Sequence, residues 1–219
     1  MSPTNGLTIA VPRGALFKDT VALLHALGLD TSELSVNDRK LLFKDIGVIT
    51  MRPSDVHTYV EAGAADLGIT GKDVLLEHYG VGDGSERERG VYELLDLEFG
   101  RCTMVFATTA GEDPAAEALR RLGVMRVATK YPKIASRHFD ETGRQAEIVE
   151  VKGSVELAPL TGLVDAIVDL TATGTTLREN NLVVREEILV CTARLIANPV
   201  AHKLKAGAID ELMERVRAG

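Results

Sequence analysis

A carboxylate followed directly by a threonine-rich turn is the clearest indication of chemistry in this sequence. Apolar residues 166–168 lead into Asp169, and the turn that follows places Gly174 among hydroxyl side chains. The carboxylate can accept hydrogen bonds from two sugar hydroxyls, while turn N–H and hydroxyl groups can donate to a phosphate. Glycine lets the backbone approach an anion closely. The pattern predicts a ribose 5-phosphate site formed by Asp169, Thr171, Ala172, Thr173, Gly174, Thr175 and Thr176.

The same turn also fits a purely structural role. Threonine and glycine are common where a helix begins, because they satisfy backbone groups there without a ligand. The turn alone leaves both interpretations open, whereas the carboxylate of Asp169 directly before it favours binding. The helix that the turn opens would direct the positive end of its dipole toward an anion.

A second glycine turn follows the apolar strand that we predict at Ala146–Val151. It has the sequence Lys152-Gly153-Ser154-Val155-Glu156, and in an α/β sheet such turns at the carboxyl ends of strands form the ligand crevice. A capping turn with Ser154 as the helix N-cap is the alternative. Glu156 is a candidate to orient a magnesium-bound pyrophosphate through water, since Mg²⁺ keeps much of its hydration.

Two arginines are candidates for binding phosphate. Arg39 lies in Asp38-Arg39-Lys40, just before an apolar run, and its guanidinium can bind a phosphate in a bidentate geometry that lysine cannot copy. A solvated charge run is the alternative explanation of this triplet. Arg13 lies in the turn after the first predicted strand, where a cation would face a phosphate.

The composition limits the class of protein. A chain of 219 residues that is 45% hydrophobic and 26% charged is typical of a globular protein with one or two α/β domains. A net charge of −7 and only 4% aromatic residues argue against a nucleic-acid surface. No apolar run is long enough to cross a membrane. The first residues lack the features of a signal peptide, so we expect a cytoplasmic location.

The two cysteines, Cys102 and Cys191, lie far apart and belong to no metal-binding pattern. We expect both to be buried, unpaired thiols, with neither a zinc site nor a disulfide framework. The sequence also lacks the nucleophile elbow of serine hydrolases and the P-loop, so any ATP must be bound in another way.

Apolar strands alternate with amphipathic helices along the chain, which predicts a parallel sheet wrapped by helices. The β-prone segment Leu182–Ile196 carries several charges, which is typical of strands that cross between domains. Gly80–Gly90 has the composition of a mobile surface loop. We predict strands at Leu7–Val11, Val48–Met51, Asp66–Ile69, Arg101–Thr108, Val124–Thr129, Ala146–Val151 and Ala166–Leu170, and helices at Val56–Ala62, Ala115–Leu122, Pro132–Thr142 and Val155–Leu160. Three further helices are predicted: one after the turn Pro12-Arg13-Gly14, one that begins at Gly71-Lys72-Asp73, and a closing helix whose apolar face carries Ile209, Leu212, Met213 and Val216. Asp113 and Pro114 supply the N-cap and the first residue of the helix at Ala115–Leu122.

Taken in order, these segments resemble the short form of the ATP phosphoribosyltransferases, which open histidine biosynthesis. The resemblance covers nearly the whole chain and is most specific from Gly153 through Asp169 and Gly174 to Asn180. The supporting segments are Asp38-Arg39-Lys40-Leu41, Asp55–Glu61, Ala65–Ile69, Gly71–Val74 and Ala128–Pro132.

The resemblance implies an enzyme that joins N1 of the ATP adenine to C1 of phosphoribosyl pyrophosphate and releases pyrophosphate, with Mg²⁺ accompanying the pyrophosphate. Asp169 would then bind the ribose hydroxyls and Thr171–Thr176 the 5-phosphate. Glu156, together with Ser154, would serve the magnesium-pyrophosphate region. The implied ATP-binding residues are Arg39, Arg13 and Lys72, with both arginines catalytic.

The implied fold is α/β and consists of two lobes like those of type II periplasmic binding proteins, with the active site in the interlobe cleft. Residues 1–97 together with 181–219 would form the first lobe. Residues 98–180 would form the second, which carries the phosphoribosyl-binding turn. The short form implies a separate regulatory subunit that resembles histidyl-tRNA synthetase, in a hetero-octamer.

One position departs from the family pattern. Many relatives have Pro-Lys-Gly-Arg after the first strand, whereas this chain has Pro12-Arg13-Gly14-Ala15. The arginine of the fourth place is missing, so Arg13 would have to act from a turn position with a different side-chain direction.

Two other functions stay open on the sequence. A non-catalytic solute-binding module shares the two-lobed fold, and fold alone does not determine function. A type I phosphoribosyltransferase acting on a free purine has a similar phosphate turn, but it usually places two adjacent acidic residues before that turn. Here Val168 precedes the single Asp169.

Overall fold

The computed structural model describes residues 4–80 and 90–218, which form two compact units. The first unit takes residues 4–75, 90–100 and 192–218, and the second takes residues 76–80 and 101–191. Most of the surface loop predicted at Gly80–Gly90 lies outside the described residues.

Strands and helices alternate along most of the described chain. The strands are β1 (Ile9–Pro12), β2 (Leu42–Phe43), β3 (Val48–Met51), β4 (Leu67–Gly71), β5 (Tyr92–Asp96), β6 (Cys102–Thr109), β7 (Met125–Thr129), β8 (Ala146–Glu150), β9 (Ala166–Thr171), β10 (Leu182–Cys191) and β11 (Ala193–Ala197). The helices are α1 (Phe17–Ala26), α2 (Ser32–Val36), α3 (Val56–Glu61), α4 (Lys72–Tyr79), α5 (Pro114–Leu122), α6 (Pro132–Glu141), α7 (Leu157–Leu160), α8 (Thr175–Glu179), α9 (Pro199–Leu204) and α10 (Ala206–Ala218).

The sheet of the first unit has the strand order β2-β3-β1-β4-β11-β5. β1 pairs in parallel with β3 and β4, whereas β11 is antiparallel to both β4 and β5. Leu24 of α1 and Ile209 of α10 are buried in one apolar cluster with Ile9 and Val11 of β1. Burial of these helical stripes against the sheet is the main force that holds the unit together.

The sheet of the second unit has the strand order β10-β6-β9-β7-β8. Successive residues of β6 enter different apolar clusters, with Met104 and Phe106 in one and Val105 and Ala107 in the other. This period of two shows that both faces of the sheet are covered. A strand that is buried on both faces has a continuous apolar sequence, and for this reason the strands could be predicted as buried.

The prediction of parallel sheets was wrong in part, because both sheets are mixed. β6 is antiparallel to β9 and to β10, and β11 is antiparallel to its neighbours. Apolar periodicity indicates that a strand is buried but says nothing about its direction. The prediction that Leu182–Ile196 crosses between domains was confirmed, since β10 belongs to the second sheet and β11 to the first.

The boundary between the units differs from the boundaries predicted for the lobes. Residues 181–191 were assigned to the first lobe, yet β10 pairs with β6 in the second unit. The charges of β10 fit this position, because it is an edge strand with register shifts between Val184 and Glu186 and between Glu187 and Leu189. Edge strands commonly carry charges and bulges. Residues 98–100 belong to the first unit and 76–80 to the second.

Local capping followed the sequence at α5. Asp113 accepts hydrogen bonds through Oδ1 from the N–H groups of Ala115 at 3.0 Å and Ala116 at 3.2 Å, and Pro114 is the first helical residue. The elements α2, β2, β5 and α9 were not predicted from the sequence, because they are short or flanked by charged residues. In the described part of the chain, every helix is too short or too polar to cross a membrane.

Candidate functional site

Three parallel strands of the second unit, β8, β7 and β9, lie side by side and end at the same edge of the sheet. Polar segments follow each of them. Lys130 comes directly after β7, the Ser154–Glu156 segment follows β8, and β9 leads into the turn Thr171–Thr176. The carboxyl edge of parallel strands is where α/β sheets bind ligands. We call this group, with Asp169, the strand-end site.

Asp169 is the buried carboxylate of the strand-end site. Only 7% of the residue is exposed, and its Oδ2 lies 3.8 Å from Nζ of Lys130. Its Oδ1 accepts a hydrogen bond from the Leu170 N–H at 2.9 Å. Burial raises the pKa of Asp169 and the charge of Glu156 acts in the same direction, whereas the Lys130 ammonium and the Leu170 N–H oppose the rise. Lys130 therefore favours the ionised carboxylate, which can accept two hydroxyl hydrogen bonds.

Hydrogen bonds inside the Thr171–Thr176 turn fix its shape. The Gly174 N–H donates to Thr171 Oγ1 at 2.9 Å, and the hydroxyl oxygens of Thr173 and Thr175 lie 2.9 Å apart. Gly174 has a φ of +70°, a conformation that is strained for other residues. The turn is thus held in one conformation by its own hydroxyls, immediately before α8 begins.

Arg178 is a cation of this turn that the sequence analysis missed. Its guanidinium donates to the carbonyl of Thr173 at 3.0 Å and to Thr175 Oγ1 at 3.1 Å. The residue is exposed, so its positive charge is accessible to an anion at the turn. The spacing was the available signal, because Arg178 stands four residues after Gly174 and such positions lie on one helix face.

Lys130 was also missed as a site residue, although it belongs to the Ala128–Pro132 segment of the family resemblance. A lysine directly after a buried strand was visible in the sequence. What the sequence did not reveal is that β7 and β9 are neighbours, which brings Lys130 beside Asp169.

Glu156 and Ser154 occupy the segment between β8 and α7. Glu156 is half-buried, and its negative charge is near enough to raise the pKa of Asp169. Ser154 is exposed, and its carbonyl accepts the Leu157 N–H at 3.3 Å. The alternative that Ser154 is the N-cap of the helix was wrong, since Glu156 holds that position.

The carboxylates of the strand-end site fit the modest demand of Mg²⁺, which binds through one or two carboxylates and completes its shell with water and substrate phosphates. Glu156 and Asp169 are the two carboxylates there. Among residues 4–80 and 90–218, no group of three or more His, Cys, Asp and Glu side chains forms a ready metal cage. A magnesium ion at this site would therefore need ligands from the substrate.

In the first unit, Arg13 binds the loop that carries Arg39. Its Nη1 lies 3.1 Å from Asp38 Oδ1, and its Nη2 donates to the carbonyls of Asn37 at 3.3 Å and Lys40 at 3.2 Å. We call Asn37–Lys40 the arginine loop. Both terminal nitrogens of Arg13 are engaged, so this residue holds the arginine loop in place.

The arginine loop presents Arg39 to solvent. Arg39 is exposed and makes no ion pair or hydrogen bond with the described part of the chain. Its neighbours differ, because Asp38 pairs with Arg13 and the Lys40 ammonium lies 2.6 Å from a carboxylate oxygen of Glu33. Arg39 is therefore the residue of the triplet that is available to an anionic ligand.

Lys72 lies at the start of α4 in a network of charges. Its Nζ is 2.6 Å from Glu93 Oε2, and the Nε of Arg194 lies 3.1 Å from the other oxygen of Glu93. Arg194 also pairs with Asp96. These partners come from β5 and β11, so their approach to Lys72 was not visible in the sequence. Glu93 offsets the charge of Lys72, whereas the described residues leave Arg39 without such a partner.

The fold defines a class of protein. The periplasmic aliphatic sulphonate binding protein SsuA from Escherichia coli has a similar structure, with a TM-score of 0.58 and 12% identity over 96% of this chain and 70% of that chain. At this identity the likeness shows the fold alone. The chain therefore has the two-lobed α/β fold of type II periplasmic binding proteins, as the sequence resemblance implied.

Residues 52–218 match the family model described as ATP phosphoribosyltransferase. The ATP phosphoribosyltransferase of Rubrobacter xylanophilus is 51% identical over 214 residues, which are 96% of this chain and 95% of that protein. A chain of the ATP phosphoribosyl transferase (HisG:HisZ) complex from Thermotoga maritima has a TM-score of 0.78 and 33% identity, over 97% of both chains. This chain belongs to the ATP phosphoribosyltransferase family, pentosyltransferases that catalyse the first step of histidine biosynthesis.

Proposed function

We propose that the strand-end site binds phosphoribosyl pyrophosphate, that the first unit supplies cations for ATP, and that the product is N1-(5-phosphoribosyl)-ATP. The observation that carries this proposal is the buried Asp169 carboxylate beside Lys130, followed directly by the Thr171–Thr176 turn. A sugar phosphate needs acceptors for its hydroxyls and donors for its phosphate, and this one segment offers both.

In this proposal Asp169 accepts hydrogen bonds from two ribose hydroxyls. The turn of Thr171, Ala172, Thr173, Gly174, Thr175 and Thr176 binds the 5-phosphate through hydroxyl and N–H groups that it does not use internally. Gly174, whose N–H donates to Thr171 Oγ1, contributes its backbone conformation. Arg178, which donates to the Thr173 carbonyl, adds a positive charge there. Because internal hydrogen bonds shape the turn before a ligand arrives, little ordering is needed on binding.

The reaction needs no protein nucleophile. The lone pair on N1 of adenine forms a bond to C1 of the ribose, the bond from C1 to the pyrophosphate oxygen breaks, and the configuration at C1 inverts. Positive charge develops on the ribose and negative charge on the departing pyrophosphate. In this proposal the Asp169 carboxylate, bound to the ribose hydroxyls, stabilises the developing positive charge, and preorganised groups of this kind supply much of an enzyme's rate enhancement.

Magnesium belongs to the proposal as the companion of the pyrophosphate. Bound there, Mg²⁺ would neutralise the charge that accumulates on the leaving group. Glu156 would hold the hydrated ion through water, with Ser154 on the same segment offering a hydroxyl to the pyrophosphate.

On the ATP side we propose that Arg39 binds the polyphosphate directly. Arg13 contributes by positioning the arginine loop, because its terminal nitrogens bind Asn37, Asp38 and Lys40. This differs from the direct catalytic role that the family resemblance implied for Arg13. Lys72 contributes a weaker attraction, since Glu93 offsets its charge.

We also propose that the chain works with a separate regulatory subunit similar to histidyl-tRNA synthetase, in a hetero-octamer. Support comes from its 33% identity to a chain of the HisG:HisZ complex over 97% of both chains. A cytoplasmic location is part of the same proposal, because ATP is available there as a substrate.

The test is pyrophosphate release by the purified chain with Mg²⁺, phosphoribosyl pyrophosphate and either ATP or free adenine, with the product identified by mass spectrometry. Each mixture is measured with and without the regulatory subunit from the same organism. We expect release with ATP, formation of phosphoribosyl-ATP, and a higher rate when the subunit is present.

The other outcomes discriminate between the rival functions. Release with adenine but not ATP would favour a type I phosphoribosyltransferase. Binding of ligands without any release, in the presence of the subunit, would favour a solute-binding module. Equal rates with and without the subunit would contradict the proposed partner while leaving the transferase intact.

A further inference from the structure

The two cysteines of the chain stand opposite each other in the sheet of the second unit. The sequence contains only Cys102 and Cys191. In the antiparallel pair of β6 and β10 they are direct partners in the register, although 89 residues separate them in sequence. From the sequence we predicted two buried, unpaired thiols. Cys191 is buried, whereas Cys102 is partly exposed, and the fold places the two opposite each other.

The register is compatible with a disulfide. Directly opposed residues of an antiparallel pair have Cα atoms about 4.5–5.5 Å apart and side chains on the same face. A disulfide needs a Cα separation of about 4.4–6.8 Å. The Cys102 thiol donates to the carbonyl oxygen of Cys191, with its Sγ 3.9 Å from that oxygen, so this side chain already reaches the opposite strand at the position of Cys191.

The position of the pair is also specific. Cys102 is the first residue of β6 and Cys191 is the last residue of β10. The second unit consists of residues 76–80 and 101–191, so the two cysteines stand at the ends of its main segment. A bond between them would close a loop around nearly the whole unit that carries the strand-end site.

We propose that Cys102 and Cys191 form a reversible redox site whose oxidant is a low-molecular-weight disulfide. The Cys102 thiolate, which is the more exposed, attacks one sulfur of the small disulfide and releases one small thiol. The Cys191 thiolate then attacks the Cys102 sulfur of this mixed disulfide and releases the second small thiol. The two thiol protons end on the two small thiols, so the protein dithiol is oxidised and the small disulfide is reduced.

If the two cysteines are joined, we expect the second unit of the oxidised protein to be more stable than that of the reduced protein. Cross-linking restricts the unfolded chain, and the effect grows with the length of the closed loop. For a loop of about 90 residues we expect the oxidised protein to unfold at a Tm higher by about 5–15 °C. Disulfides of cytosolic proteins are usually transient and redox-sensing, which fits a reversible bond better than a permanent one. This expected stabilisation is independent of the substrate that the strand-end site binds.

The experiment treats the folded full-length chain with oxidised glutathione and measures thiol content, intact mass, peptide linkage and Tm, before and after dithiothreitol. We expect loss of both thiols with only two hydrogens lost in mass, a peptide joining Cys102 to Cys191, and a raised Tm that dithiothreitol reverses. The matched controls are Cys102→Ser and Cys191→Ala, in which the Tm should not rise on oxidation.

Several results would overturn the proposal. They are a lasting glutathione adduct on Cys102 in the unsubstituted chain, a disulfide between two chains, thiols that stay reduced in the folded protein, and an internal disulfide that leaves the Tm unchanged. If Cys191→Ala folds poorly, Cys102→Ser and the reduced protein still provide the comparison, because Cys102 is only partly buried.

Discussion

The strand-end site and the arginine loop differ in the sign and the exposure of their main charged group. The strand-end site surrounds a buried carboxylate with one lysine and a turn of neutral hydroxyls. The arginine loop lies in a cationic region in which Arg13 pairs with Asp38 and Arg39 is left to solvent. In the proposed function, one region accepts hydrogen bonds from a sugar and the other attracts an anion.

The difference has an energetic consequence. The ion pair of Arg13 with Asp38 is open to solvent on the side of the carboxylate, which is 91% exposed, and contributes about 0–1 kcal/mol. A phosphate that binds the neighbouring Arg39 has no ion pair to displace among the described residues. A buried carboxylate lowers the stability of the folded protein. Its removal lowers the binding free energy of any ligand that forms hydrogen bonds to it. We accordingly expect substitutions in the strand-end site to have larger effects than substitutions around the arginine loop.

The largest expected effect comes from Asp169→Asn. The amide keeps the size and can still accept the Leu170 N–H, but it loses the charge that strengthens hydrogen bonds to the ribose. Because the amide oxygen stays on the Leu170 N–H and the amide nitrogen cannot accept, both hydroxyl hydrogen bonds are lost. Hydrogen bonds to a charged group contribute about 1.5–3 kcal/mol each, so this loss lowers kcat/KM for phosphoribosyl pyrophosphate on the order of 10³-fold. Glu147→Gln, an exposed carboxylate on β8, is the control. An effect of similar size there would show that the loss is not specific to the site.

The same variant should be more stable than the unsubstituted protein. Because burial raises the pKa of Asp169, the folded protein holds this proton more tightly than the unfolded chain does. Stability is therefore lost as the pH rises from the ordinary carboxyl pKa through the raised value, and that loss persists at neutral pH. Asp169→Asn cannot lose stability in this way, so its Tm at neutral pH should be higher by a few degrees, about 2–5 °C. A lower Tm at neutral pH would contradict this explanation.

A smaller effect is expected from the arginine loop. Arg39→Gln removes a direct phosphate contact and should lower kcat/KM for ATP by about 10–100-fold, with little change in the KM for phosphoribosyl pyrophosphate. Arg13→Gln should also lower kcat/KM for ATP, because it releases the arginine loop. If Arg13 acts through Arg39, the double variant is hardly worse than either single one, whereas independent contacts would give additive losses. Arg121→Gln, a largely exposed arginine of α5, is the control.

The contrast between the two regions also explains what the sequence could predict. The sugar-phosphate segment from β9 to α8 is contiguous, so its chemistry was visible in order along the chain. Other contacts form only because the fold brings distant segments together. Examples are the contact of Arg13 with the arginine loop and that of Lys72 with Glu93, which also binds Arg194. The sequence identified the cations in these groups but not the carboxylates and carbonyls that hold them.

The same limit applied to the sheets. The positions of β3, β7 and β9 were predicted to within one residue, because apolar runs and flanking turns are local properties. Strand direction and neighbour order depend on distant pairing, so the antiparallel β6 and β10 were not foreseen. That order is also what brings Lys130 beside Asp169, and for this reason Lys130 was missed.

The variant Lys130→Met tests whether Lys130 acts through Asp169. Lys130→Met removes the ammonium that opposes the rise in the pKa of Asp169, so this pKa should rise further. The acidic limb of the pH profile of kcat/KM should then move to higher pH, with about a tenfold loss at neutral pH. Lys130→Arg should keep the limb near its original position. A rate loss without a shifted limb would indicate that Lys130 contacts the substrate instead.

The smallest effect is expected at Lys72. Here two substitutions in the network of Lys72, Glu93 and Arg194 can distinguish charge balance from direct binding of ATP. Lys72→Met leaves Glu93 with Arg194 as its remaining cation, so the negative charge near the ATP polyphosphate increases and the KM for ATP should rise by about threefold. Adding Glu93→Gln removes that charge, and the double variant should recover most of the loss. If Lys72 instead binds ATP directly, the second substitution cannot restore it, and the KM stays high in both variants. Recovery would place Lys72 with Arg13 among the residues that balance charge, and it would leave Arg39 as the residue that contacts the polyphosphate.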